Sequence, residues 1–171
     1  GNTIVGRFFL YLKGKLAFEI ESIVGGVKDN VIPKNAGAKF LVEDVEALKA
    51  AVADFNKILK TEYAVTDSAI ELVLEVKEEV EATVLAKESK EKAITVLNVM
   101  PNGVQTMSAD LPGLVETSLN LGVVKIDAEE IALSFALRSS LDSAKEHLCG
   151  KLTQLTEMLG GTASYHGIYP G

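Results

Sequence analysis

Apolar side chains recur along this chain with two periods, one near 3.6 residues and one of two, and the alternation between them marks the elements. Residues 2–13 place Ile4, Phe8 and Leu12 on one stripe with Val5 and Phe9 beside it, which predicts an amphipathic helix stopped at Gly14. The run AFEIESIV predicts a strand up to Gly25-Gly26. A second strand follows in AGAKFLV, where Ala36, Ala38, Phe40 and Val42 alternate with Gly37, Lys39 and Leu41, and residues 25–35 between the two form a loop. From Asp44 onward Val45, Leu48, Val52, Phe55 and Leu59 step by three and four, the buried face of a helix of about four turns. Strict alternation then returns in Ile70, Leu72, Leu74 and Val76 against Glu71, Val73 and Glu75, predicting a strand with one core face.

The order repeats further along. A helix is expected around residues 89–100, ended by Pro101 and Gly103, then strands at 115–126 and 129–138. Leu141, Leu148, Leu152, Leu155 and Leu159 mark a long helix closed by Gly160-Gly161, and TASYHGIY supplies a last short strand. Both halves read helix, strand, strand, helix, strand, a duplication of element order though not of sequence. Each strand has one apolar face to cover, so the expected class is α+β: two ferredoxin-like halves, about 1–78 and 89–171, with an antiparallel sheet and helices packed on one face. The acidic stretch at 77–92 joins the halves as a solvated surface.

Composition narrows the partners. The chain has 171 residues, 47% of them hydrophobic, enough apolar mass for one core or two tightly joined ones. Acidic residues outnumber basic ones by 24 to 17, and the net charge of -7 disfavours nucleic acid and anionic membrane surfaces. The apolar runs fall far short of the about 20 residues that a membrane span needs. Cys149 is the single cysteine and has no partner for an internal disulfide, which points to a reducing, cytoplasmic setting. The chain opens at Gly1 without a methionine and stops at Pro170-Gly171, and is expected to be a segment of a longer protein.

Candidate chemistry is sparse. Two histidines 19 positions apart and one cysteine make no metal-ligand motif, so no metal ligand is assigned. His147 beside a helical apolar stripe and His166 between Tyr165 and Gly167 read as surface or half-buried residues, and Cys149 as a packed one. The glycine pairs at 25–26 and 160–161 lack a phosphate-loop Lys-Ser/Thr and read as turns. No carboxylate pair stands out, and no catalytic residue is assigned. Two positions remain. Arg138 is one of two arginines, and alternation points it away from the core set of Ile131, Leu133, Phe135 and Leu137; it is either a surface residue paired with a neighbouring strand or a fork for a carboxylate. Asn30 lies in GGVKDNVIP, where glycine and proline shape the backbone and a short amide either forms the turn or presents a donor and an acceptor.

Four blocks, GGVKDNVIPKNAGAKF, MSADLPGLVETSLNLGVV, LRSSLDSAKEHLCGKL and GTASYHGIYPG, resemble in order the inserted lid, or dimerisation, domain of aminoacyl-histidine dipeptidases (Xaa-His or cytosol non-specific dipeptidases) of the di-zinc exopeptidase clan. The resemblance spans nearly all of residues 1–171 and implies that the two zinc ions, their ligands and the general base belong to a separate catalytic domain, leaving no cofactor in this segment. It implies further that Asn30 matches the substrate-contacting asparagine of the Asn-Xaa-Ile-Pro loop, and Arg138 the strand arginine that grips the substrate's C-terminal carboxylate. The partners implied are the protein's own catalytic domain, a dipeptide and, through sheet edges or helices, a second copy; the duplicated halves offer the same pairing within one chain.

The competing expectation is a stand-alone α+β module that binds a protein or small ligand, and a third is an independent enzyme using His147 or His166. Metal-ligand segments encoded on both flanks of the chain favour the lid; start and stop codons at its ends favour the module.

Overall fold

A computed structural model describes residues 1–78 and 81–167. The elements run α1 (Asn2–Leu12), β1 (Phe18–Gly25), β2 (Ala36–Val42), α2 (Val45–Glu62), α3 (Lys87–Val99), β3 (Gly103–Met107), β4 (Val115–Ile126), β5 (Ile131–Ser139) and α4 (Asp142–Met158). The α+β class read from the sequence is borne out, and the helix boundaries follow local chemistry. In α2, the Asp44 side chain accepts a hydrogen bond from the Ala47 backbone N–H at 2.9 Å, satisfying one of the donors that a helix start leaves open.

All five strands form one antiparallel sheet. β2 pairs with β1, β1 with the end of β4, and β4 along its length with β5, while β3 takes the other end of the β4 edge that β1 uses. The junction between β1 and β4 is short, Ile23 to Gly25 against Ile126 to Val124, but it makes the sheet continuous across the two halves. The strands that precede and follow residues 77–92 therefore share one sheet. Helix α1 packs on α3 at the same seam: Gly6 lies against Leu97, so close that a Cβ at Gly6 would stand 2.4 Å from the Leu97 Cβ, and the Asn98 Nδ2 donates to the Gly6 carbonyl at 2.9 Å.

The core lies between the helices and one face of the sheet. The stripe predicted for α1 is buried in full, with Phe9 and Leu12 wholly shielded, and the rings of Phe8, Phe9, Phe18, Phe40 and Phe55 form a connected cluster with centroids 5.3–6.5 Å apart. Leu48, Val52, Phe55 and Leu59 of α2 and Ile20, Ile23, Val124 and Ile126 of the sheet complete it. Helix α4 is held more lightly, by Leu148 and Leu152 over Leu119.

Four details differ from the sequence reading. The alternation of Ile70, Leu72 and Leu74 does bury those side chains against the core, yet residues 70–76 join no ladder. The Asn56 side chain takes the place of a neighbouring strand there, accepting from the Leu72 N–H at 2.7 Å and donating to its carbonyl at 2.9 Å. Alternation reports a half-buried extended segment, but a ladder also needs a partner, which the pattern does not encode. Likewise residues 162–167 of TASYHGIY form no strand and join no ladder, and the rest of that segment lies outside the described residues. Leu141 precedes α4 and is exposed, and β3, exposed along its length and without alternation, had no signature to find.

Candidate functional site

The face of the sheet opposite the helices carries the two residues singled out in the sequence. Thr117, Leu119 and Leu121 of β4 are buried on the helix side, so Ser118 and Asn120 point to the open face. In the β4–β5 ladder Ser118 stands opposite Arg138 and Asn120 opposite Ala136. Arg138 is exposed and on the open face, as alternation required, and forms no ion pair among the described residues. Its guanidinium keeps its donors available for a planar anion.

Asn30 reaches the same face from the other half of the chain. It is exposed in the loop between β1 and β2, where Val31 N–H bonds back to the Lys28 carbonyl at 3.3 Å. This loop lies flat on β4. The Asn120 amide donates both hydrogens to it, to the Asp29 carbonyl at 2.7 Å and the Val31 carbonyl at 2.9 Å, the two residues that flank Asn30. Close approach requires glycine on both sides: a Cβ at Gly122 would fall 2.2 Å from the Asp29 carbonyl oxygen, and one at Gly26, whose φ is +78°, 1.6 Å from the Gly122 carbonyl oxygen. Arg138 is the diagonal neighbour of Asn120, about 7–8 Å away across the ladder. The loop tip around Asn30 also exposes Val27, Val31 and Ile32, the last at 78%.

His166 lines a cleft of about 460 Å³ formed by β5, α3, α4 and residues 161–166, to which Asp29 of the Asn30 loop also contributes, whereas His147 borders a different, shallow groove with Val99 and Pro101. Burial pushes the Cys149 thiol up from its ordinary pKa, which leaves it a poor nucleophile at neutral pH. Among the described residues no group of three His, Cys, Asp or Glu side chains fits a metal ion. The sequence reading missed Asn120 and Gly122, although a glycine interrupting an otherwise alternating strand was a usable sign of close backbone approach.

Residues 2–67 match the family described as the peptidase dimerisation domain. The chain is 33% identical over 99% of its length to the cytosol non-specific dipeptidase of Escherichia coli K12, of which it covers 35%. It is 29% identical to the aminoacylhistidine dipeptidase of Vibrio alginolyticus, whose crystal structure matches it with a TM-score of 0.92 over 99% of this chain and 35% of that one. Over residues 2–67, then, the chain is similar to a peptidase dimerisation domain. More narrowly, the chain has the fold of such a domain as it occurs in these dipeptidases, so the resemblance read from the sequence is borne out, and it spans about a third of the length of the relatives it matches. No helix among the described residues is long and apolar enough to cross a membrane.

Proposed function

We propose that this domain is the substrate-capping lid of a cytoplasmic, zinc-dependent dipeptidase that hydrolyses Xaa-His and other dipeptides. Its parts are residues 1–171 as one lid with pseudo-repeat halves at about 1–78 and 89–171, and its partners are its own catalytic domain, the dipeptide and a second copy of the protein. The reading is supported by the likeness to two dipeptidases and, above all, by the shared open sheet face of Asn30 and Arg138. Arg138 binds the dipeptide's C-terminal carboxylate through two parallel N–H···O bonds, and Asn30 offers its amide to the peptide group. Closing the lid places both over the substrate and excludes water, while the exposed apolar tip at Val27, Val31 and Ile32 covers it. On this reading the catalytic domain holds the two zinc ions and this domain supplies none of their ligands. Because β1 and β4 already join the halves, a second copy docks on another surface than that seam.

The test is Arg138→Ala in the full-length protein. Losing a charged hydrogen bond of about 1.5–3 kcal/mol should lower kcat/KM roughly 10- to 150-fold with the fold intact. Unchanged kinetics remove Arg138 from the site.

A further inference from the structure

We infer that Asn120 is a positioning residue, setting the Asn30 loop at a fixed distance from Arg138; this rests on the substrate-binding reading above. The two candidate residues come from different halves of the chain, and nothing in the loop's own sequence fixes where it stands relative to β5. Asn120 supplies that reference. Its side chain is half-buried on the open face, faces Ala136 across the ladder, and has both amide hydrogens on the carbonyls immediately before and after Asn30. A single side chain thus grips the carbonyls of the two residues that flank Asn30, and does so from the strand whose next open-face residue, Ser118, is paired with Arg138. The glycines Gly26 and Gly122 let the loop approach closely enough for those bonds, and the irregularity in the ladder between Leu121 and Val123 begins just past Asn120. A purely structural asparagine would need only to cap unsatisfied groups; this one also fixes the spacing that a dipeptide must bridge between its peptide group and its carboxylate.

The experiment compares Asn120→Asp, which keeps the shape but removes both donors, with Asn120→Ala in the full-length dipeptidase. Two readouts are taken: steady-state kinetics on a dipeptide, and the rate of tryptic cleavage after Lys28 and Lys34, which flank the gripped segment. Both variants should raise KM about 10- to 100-fold with a smaller change in kcat, as expected for two lost hydrogen bonds to the loop, and should speed cleavage by a similar factor. Combining Asn120→Asp with Asn30→Ala should cost little more than Asn30→Ala alone, because the first acts through the second. If Asn30→Ala or Arg138→Ala raises KM while the Asn120 variants leave both KM and cleavage unchanged, or if the Asn120 and Asn30 effects simply add, the positioning role is overturned and the binding reading stands. If Asn30→Ala and Arg138→Ala both leave KM unchanged, the binding reading itself falls, and the role of Asn120 with it.

Discussion

The seam between the two halves makes a sharp prediction about a single methyl group. Gly6 in α1 is buried against α3, where an added Cβ would meet the Leu97 Cβ at 2.4 Å and the Leu97 carbonyl oxygen at 3.3 Å. Carbon atoms prefer about 3.5–4.0 Å, so in Gly6→Ala the helices must part by about 1 Å. The Leu97 Cβ is fixed to its helix backbone and cannot swing aside, which places the overpacking cost near the upper part of its usual range of about 1–3 kcal/mol. Alanine's better helix propensity returns about 1 kcal/mol. The net is a loss of roughly 1–2 kcal/mol, with the Asn98 bond to the Gly6 carbonyl strained as well. Gly150 in α4 is the control, being helical, exposed and with nothing within 4 Å of an added Cβ. There the propensity gain acts alone, and Gly150→Ala should stabilise by about 0.5–1 kcal/mol. Urea unfolding of the purified chain reads both, as a midpoint lowered by about 0.5–1 M for Gly6→Ala and raised by about 0.3–0.5 M for Gly150→Ala. If both substitutions stabilise equally, α1 and α3 are not in contact at this point, and the in-chain pairing of the halves is refuted.

Other expectations follow from the same contacts. Phe9→Ala, at the centre of the aromatic cluster and wholly buried, should cost about 3–5 kcal/mol and remove much of the chain's folding stability in a thermal melt. Asp44→Ala removes the cap of α2 and should cost about 1 kcal/mol by the same measurement. The hydrogen-bonded Arg7 guanidinium, at 2.5 and 2.8 Å, holds the Glu62 carboxyl below the usual carboxylate value of 4.5. A depressed folded pKa gives stability that is present above the unfolded value and lost as pH falls through the folded one, so urea midpoints should decline below about pH 4.5, and less steeply in Glu62→Gln.

Much of this fold was legible because its elements are amphipathic. The stripes Ile4–Phe8–Leu12 and Leu48–Val52–Phe55–Leu59 are buried as their spacing required, and alternation set the inward faces of β2 and β5. Pairing was not legible, since hydrogen-bond partners are a property of two segments: Ile70, Leu72 and Leu74 pack inward, but their backbone meets the Asn56 side chain. The exposed strand β3 lacks a buried face and so leaves no periodic trace. For the site, alternation put Arg138 on the open face, and the glycine-proline punctuation marked the Asn30 loop. What joined them, the amide of Asn120 reaching 91 residues back to Asp29, is a long-range contact with no local signal beyond the glycine two positions on.

The measurement that bears most directly on the account is a substrate-by-residue cycle in the full-length protein, pairing Arg138→Ala with a dipeptide whose C-terminal carboxylate is replaced by an amide. If Arg138 grips that carboxylate, amidation and the substitution each lower kcat/KM by roughly 10- to 150-fold, and together they lower it little further than either alone. Full additivity, or an Arg138→Ala protein that discriminates carboxylate from amide as well as the unaltered one, would contradict it.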